Sequence, residues 1–292
     1  QKKINNDIAI IRNNKKTDLI KLGVIGAGSF AQSVLLPNFK NKCDFVGLAT
    51  GSGNSSYHVG NKYRFSFLTN DSEKLFKDEI INTILIAARH NLHSDLIVKS
   101  MKNKKHVFVE KPLAINFKQL EEIEDCYIKS DYDKNLMIGF NRRFSPSVKD
   151  LYKTLYPDMP KSILIRVNNK QMNPNHWTND LEVGGGRIVS DACHFIDLSI
   201  FIAQSRVVSV SADCALNHNN LDNTVSINLK FLNGSIASIN YFSNGNEKLG
   251  KEYLEVYNNG IISIIDDFKS IRVVNDRSKS IKYKYQDKGH YE

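Results

Sequence analysis

Apolar residues in the first half of the chain come in short, nearly unbroken runs. "KLGVIG" (Lys21–Gly26), "FVGLAT" (Phe45–Thr50), "TILIAA" (Thr83–Ala88), "HVFVE" (His106–Glu110) and "LMIGF" (Leu136–Phe140) are the clearest. Between them, "SFAQSVLLPNF", "HSDLIVKSMKN" and "FKQLEEIEDCYIK" carry apolar residues at helical spacing. Unbroken apolar strands alternating with helices predict a parallel sheet with helices on both faces. After Arg143 the rhythm changes. Helices are predicted around Ser147–Leu155 and Arg187–Ile202, and from Arg206 onward strands dominate, separated by turn signals such as "LNGS" and "NNGI". The pattern therefore predicts one α/β domain over residues 20–143 and a second, mostly antiparallel domain over residues 144–292. Residues 1–19 are polar and rich in Lys and Asn, and read as a linker, a leader or an added edge segment.

With 292 residues the chain is long enough for two domains, each with its own core. The formal charge is +9, but the lysines are scattered among abundant Asn and Ile and no nucleic-acid motif accompanies them. A nucleic-acid partner is therefore not expected. The same mild positive field suits a phosphate-bearing cofactor or an anionic substrate. Cys43, Cys126, Cys193 and Cys214 are far apart, form no CxxC pair and have no zinc spacing, so buried free thiols in a reducing cytoplasm are expected, with no metal site. No apolar run approaches the ~18 residues of a membrane span. The chain opens on Gln1 without Met and stops after "QDKGHYE", from which a longer natural polypeptide is expected.

The first chemical signal is "GVIGAGSFA", a GxGxxA fingerprint made by Gly26, Gly28 and Ala31. Gly26 allows the tight turn, Gly28 lets backbone approach a pyrophosphate, and Ala31 permits close helix–sheet packing. The following helix N-terminus favours phosphate. The motif follows the first strand, opens a helix and heads the alternating units, so a nicotinamide dinucleotide is expected, its pyrophosphate at Ser29, Phe30 and Ala31. The second strand ends "LATGSGNSS". Thr50, Ser52, Ser55 and Ser56 supply neither an acid for the ribose hydroxyls of NAD nor an Arg for the phosphate of NADP, so the choice between NAD and NADP stays open.

The second signal is Glu110-Lys111-Pro112 at the carboxyl end of a predicted central strand, where ligands of such sheets bind. Pro112 confines Lys111 to extended backbone and permits a cis bond, so the lysine is aimed. Ala88 ends another such strand, and both Ala88 and Glu110 are candidate cofactor contacts. The third is "GGGRIVSDACHFIDL" (Gly184–Leu198), in which three glycines run into a helix bearing Asp191, His194 and Asp197.

Together, "GAGSFA", His93 in "ARHNLH", "EKP", "GFNRRFSP" and the Gly184–Asp197 stretch resemble the glucose–fructose oxidoreductase, inositol dehydrogenase and rhizopine-catabolism (Gfo/Idh/MocA) family from about Lys21 to the end. The resemblance implies an N-terminal Rossmann dinucleotide-binding domain and a C-terminal α+β domain whose open, mainly antiparallel sheet often forms a homodimer or homotetramer interface. It implies NAD(P)-dependent oxidation or reduction of sugars, cyclitols and related polyols. The family's catalytic lysine falls on Lys111 and its helix histidine on His194. Many members place an acid four residues before that histidine. Here Ser190 stands there, and the acid is Asp191, three residues before. Both spacings lie on one face of an α-helix. The "GGGRI" and "CHFID" variants are similar to a branch that carries an upstream alcohol-dehydrogenase-like region, for which residues 1–19 would be the connection. Members of the family also continue past the "QDKGH" stretch into another helix.

On these grounds His194 is the expected proton-transfer residue, Lys111 stabilises the substrate oxygen, and Asp191 orients the imidazole, with Asp197 competing for that role. The glycines are expected to let the chain pass close to nicotinamide and substrate. Trp177 is a core residue or a stacking surface for substrate. Arg143 binds a cofactor or substrate phosphate or pairs with a carboxylate. His93 is expected near the nicotinamide on a loop, and His90 at the surface. Cys193 as a nucleophile is disfavoured, because hydride transfer needs no covalent intermediate. Two rival readings are a dinucleotide-binding regulator without turnover, and an enzyme that uses bound NAD for a net non-redox epimerisation or elimination.

Overall fold

A computed structural model describes residues 8–9, 20–51, 53–215 and 223–291. Ser52 and residues 1–7 and 10–19 of the leader lie outside the described residues. The chain divides into two units, residues 1–139 and 140–292.

The first unit is a seven-stranded sheet. Its strands are β1 (Ile8–Ala9), β2 (Ile20–Ile25), β3 (Cys43–Ala49), β4 (Phe67–Thr69), β5 (Thr83–Ile86), β6 (His106–Val109) and β7 (Leu136–Ile138), in spatial order β1-β4-β3-β2-β5-β6-β7. β2 to β7 are mutually parallel, and β1 pairs antiparallel with β4 at the edge. The order reverses between β2 and β5, the topological switch point at which doubly wound sheets bind dinucleotides. Apolar strand residues serve both faces. Ile84 and Ile86 of β5 enter a core with Ile97 and Met101 of helix α4 (His93–Lys102) and Ile123 of α5 (Phe117–Lys129). Leu85 enters the opposite core with Leu36 and with Val59 of α2 (Gly53–Tyr63). α2, β4 and the short α3 (Glu73–Lys77) were not legible in the apolar runs, because their segments are short or polar.

The helix after the glycine turn opens as wide π-type turns over Ala31–Leu35 and tightens into α1 (Leu36–Phe39). Pro37 explains this. It has no N–H for the carbonyl of Ser33, and Leu36 N–H instead reaches back five residues to Ala31 O.

The second unit has eight strands, β8 (Ser162–Asn168), β9 (Val207–Cys214), β10 (Val225–Phe231), β11 (Ile236–Phe242), β12 (Glu252–Asn258), β13 (Ile261–Asp266), β14 (Ser270–Val274) and β15 (Ser278–Lys282). Their order is β15-β14-β13-β12-β8-β11-β10-β9, and every pair is antiparallel except β8–β11. β8 was not singled out from the sequence. Ile163, Ile165 and Val167 point into the core, but Leu164 is also apolar and exposed and blurs the alternation. One face of the sheet packs against α6 (Pro146–Tyr152) and α7 (Cys193–Ala203), with Val148, Leu151, Phe195, Leu198 and Ile202 meeting Ile165, Ile227, Ile239 and Tyr241. Among the described residues no helix is long and apolar enough to cross a membrane. The thiols depart from expectation: Cys43 is buried and burial pushes its pKa up to about 12, whereas Cys126 and Cys193 are half-buried and Cys214 is exposed.

A buried ion pair ties this unit together. Arg142 donates from Nε and Nη2 to Glu252 at 3.0 and 2.8 Å, Lys288 Nζ reaches the same carboxylate at 2.7 Å, and Glu252 is 2% exposed. Burial alone would raise the Glu252 pKa, but the two cations overcome it and hold it at about 2, against an ordinary 4.5. Arg142→Met, which leaves a buried carboxylate with one partner, is expected to cost about 3–5 kcal/mol in urea unfolding. The wild-type contribution is present above the ordinary carboxylate range and is lost as pH falls from there towards about 2. The difference between wild type and variant should shrink in the same window.

Candidate active site

In the first unit the candidate residues gather at the carboxyl ends of β2, β5 and β6. Gly26 follows β2 with φ +95°, and its N–H donates to Ala49 O at 2.9 Å. A Cβ there would sit 2.4 Å from Ala87 O, so glycine is required for both conformation and space. At Gly28 a Cβ would meet nothing within 4 Å. Gly28 O accepts from Gln32 N–H at 3.0 Å in the first turn of the helix. Ser29 and Phe30 are exposed there, while Ala31 is 1% exposed and packs inward. A glycine facing open space before a helix N-terminus fits the pyrophosphate of a dinucleotide. Thr50 follows β3, its N–H bonded to Thr69 O at 3.1 Å and its hydroxyl paired with Ser56.

Glu110 and Lys111 follow β6, and the Lys111–Pro112 bond is cis. Burial raises the Glu110 pKa to about 7, against the pull of the Lys111 charge and the Lys111 N–H. Gly139, after β7, makes room for this carboxyl, since a Cβ there would lie 2.8 Å from Oε1. His93 is not on a loop, as expected above, but is the first residue of α4, 0% exposed. Its Nδ1 lies 2.7 Å from Pro112 O and its Nε2 3.2 Å from Ala88 O. Burial, the largest influence, lowers its pKa. A neutral imidazole carries one N–H, and the shorter contact assigns it to Pro112. His93 thus anchors the Lys111–Pro112 segment at the start of α4 through Nδ1, with its ring buried. His90 is likewise buried, not at the surface, with its ring 5.7 Å from that of His93.

In the second unit, Ile188–Ala192 forms wide π-type turns that lead directly into α7, and His194 lies in the first α7 turn. Such π insertions recur at functional sites. They also change the helical phase, so the expectation that Asp191 and His194 share a face at α-helical spacing does not carry over. His194 is 7% exposed, its ring 6.0 Å from that of Phe140 in an edge arrangement. Asp191, about one-third exposed, accepts from Tyr241 Oη at 2.8 Å and lies 3.5 Å from Arg187 Nη2. Asp197 pairs instead with Arg143, which donates from Nε at 3.1 Å and also from Nη2. This removes Asp197 as a rival orienter of His194. Of the two roles expected for Arg143, the structure shows the pairing with a carboxylate, and its guanidinium lies 5.3 Å over the Phe201 ring.

The three glycines also answer to the packing of the chain on itself. A Cβ at Gly184 would lie 2.3 Å from the Thr178 Cα, so the chain passes close to its own Trp177–Asn179 turn. Gly185 and Gly186 each have φ +77°. Trp177 lies in that turn, half-buried, its ring 5.8 Å from that of His176.

Sequence reasoning missed Arg187, Tyr241 and Asn169. Arg187 stands four residues before Asp191, a legible i,i+4 pair. Tyr241 is an inward residue of β11 with no sign, in the sequence, of where its hydroxyl goes.

Comparison with known proteins agrees with this geometry. Residues 20–139 match the oxidoreductase family with an NAD-binding Rossmann fold, and residues 160–258 match the Gfo/Idh/MocA C-terminal domain. Myo-inositol 2-dehydrogenase of Thermotoga maritima is 30% identical over 144 residues, 49% of this chain and 42% of that protein. The uncharacterised oxidoreductase YrbE of Bacillus subtilis is 27% identical over 76% of this chain and 67% of its own length. The matched stretch thus spans less than half of the inositol dehydrogenase. Among solved structures, the dehydrogenase MviM of Clostridium difficile superposes with a TM-score of 0.76 at 25% identity, covering 93% of this chain and 87% of that one. Levoglucosan dehydrogenase, in complex with NADH and levoglucosan, shares the fold with a TM-score of 0.78 at 18% identity, covering 94% and 83%. With both of its units accounted for, the chain belongs to the Gfo/Idh/MocA family of oxidoreductases, and its first unit is that family's NAD-binding Rossmann domain.

Proposed function

We propose that the protein is a dehydrogenase that moves a hydride between a nicotinamide dinucleotide and a CH–OH carbon of a sugar, cyclitol or related polyol. The observation that carries this reading is the position of Lys111. It follows β6 at the same end of the sheet as the Gly26–Ala31 turn, in a segment tied down through Pro112 by the buried His93. Gly26, Gly28, Ser29, Phe30 and Ala31 would hold the pyrophosphate, and Thr50, Ala88 and Glu110 would border the rest of the cofactor. When bound, the nicotinamide supplies the hydride acceptor. Lys111 then hydrogen-bonds the substrate oxygen and stabilises its developing charge, while the His194 imidazole takes the hydroxyl proton. In the reverse direction His194 returns it. Trp177 offers an aromatic face to the substrate. Relatives named for myo-inositol, levoglucosan and trans-1,2-dihydrobenzene-1,2-diol support a hydroxylated substrate. The test is reduced-nicotinamide formation with a panel of hexoses, anhydrosugars and cyclitols. Failure of well-folded protein to bind any nicotinamide dinucleotide would overturn the reading.

The hydroxyls at the end of β3 bear on cofactor choice. Thr50 and Ser56 pair with each other and bring no charge to the ribose. Discrimination between NAD and NADP is expected to stay below about a hundredfold, or ~2.7 kcal/mol. Parallel titrations of the two dinucleotides measure it, and a larger preference would show that another group reads the ribose.

We also propose that the uncovered face of the second sheet pairs with another copy. Leu164, Ile236 and Tyr257 are exposed there around a shallow groove of about 360 Å³. Light scattering should report a dimer or tetramer.

A further inference from the structure

The hydrogen bonds around Asp191 run in one direction. Asn169 Nδ2 donates to Tyr241 Oη at 2.8 Å, so the phenol oxygen is the acceptor of that bond. The phenol has one proton, and it goes to Asp191 Oδ2, also at 2.8 Å. Asp191 is therefore an acceptor at Oδ2. The Arg187 guanidinium, itself 3% exposed, lies 3.5 Å from the same oxygen and 5.3 Å over the Tyr241 ring. Tyr241 is 0% exposed. Burial first, and the Asp191 charge second, push its pKa above the ordinary tyrosine range, so the phenol keeps its proton through the neutral range. Among the groups that face Asp191 are Arg187 from its own segment, Tyr241 from β11 and Lys251 from the start of the β12 segment, with His194 three residues further along the helix.

We infer that Tyr241 is a positioning residue which, with Asn169 and Arg187, holds Asp191 as a permanent carboxylate acceptor. Asp191 then receives a hydrogen bond from the substrate and takes no part in proton transfer, which falls to His194. This rests on the dehydrogenase reading above and adds a specificity statement. The substrate presents a donor, such as a hydroxyl beside the reacting carbon, to Asp191. A carboxylate or phosphate at that position is rejected by like charge.

The bond to Asp191 can be tested without substrate. Carbon-13 NMR of labelled aspartate carboxyls, with the Asp191 signal assigned by its loss in Asp191→Asn, follows its titration directly. In Tyr241→Phe the titration midpoint is expected to rise by about 1 in pKa, because a hydrogen bond to the charged form is lost. Arg187→Gln is expected to move it the same way, and it serves as the independent variant if Tyr241→Phe does not fold. A midpoint unchanged in both variants would overturn the inference and would mean that the phenol proton points elsewhere. On the substrate identified by the polyol panel, Tyr241→Phe should raise KM several-fold more than it lowers kcat, with dinucleotide affinity within about twofold of wild type. An unchanged KM would remove Asp191 from substrate recognition. If instead His194→Ala turns over normally while the NMR shift is seen, the dehydrogenase mechanism fails and the assignment of Tyr241 to Asp191 stands.

Discussion

His194→Ala is expected to lower turnover of the substrate by about a hundredfold or more, the usual contribution of a positioned general base. The residue lies 7% exposed at the start of α7, directly after the π-type turns, where its backbone is set by a packed helix rather than by a loop. Dinucleotide affinity should change little, because the glycine turn proposed to receive the pyrophosphate belongs to the other unit. Lys111→Ala should cut turnover by a similar factor. If the two residues act on one oxygen, the double variant loses less than the product of the two single losses, as for residues that work as a unit. Steady-state kinetics of the three variants, with separate dinucleotide titrations, decide this. Near-normal turnover by His194→Ala would end its role as the base.

Gly28→Val is expected to abolish measurable dinucleotide binding while leaving the melting temperature nearly unchanged. A Cβ at this position meets no atom of the protein within 4 Å, so the substitution has space in the unliganded fold. In the proposed binding mode the pyrophosphate needs the same space to reach the helix N-terminus. Gly26→Val offers the contrast. With φ +95° and a Cβ 2.4 Å from Ala87 O, that change must distort the β2–β5 junction and should lower stability as well as binding. Thermal unfolding and a fluorescence titration with NADH separate the two cases. Binding retained in Gly28→Val would show that the dinucleotide lies elsewhere.

The parts of this protein that were readable from the chain are those governed by local rules. Unbroken apolar runs such as "TILIAA" and "HVFVE" occur where a strand is buried on both faces, and both runs became neighbouring parallel strands, β5 and β6. The GxGxxA turn was readable because its glycines answer to backbone conformation and to the approach of a ligand, both of which act within a few residues. The alternation in the second half predicted antiparallel strands, yet β8 escaped it. The exposed Leu164 hides its period, and its neighbour β11 is parallel to it and lies more than sixty residues along the chain.

Side-chain partnership followed no local rule. Asp191 and Asp197 both stand one turn from His194 in the sequence, and nothing in their spacing says which is committed elsewhere. The fold commits Asp197 to Arg143 and brings Tyr241 to Asp191 across fifty residues. The π-type turns removed the α-helical phase on which the spacing argument stood. The sequence put His93 on a loop near the nicotinamide and His90 at the surface; both are buried, His93 against Pro112. By itself the sequence determined the α/β rhythm of the first unit, the strand-rich character of the second and the glycine turn of the Rossmann domain. The tertiary structure alone decided which carboxylate meets which donor, because hydrogen bonds and ion pairs depend on distances of about 3 Å between atoms that the chain brings together only when it is packed.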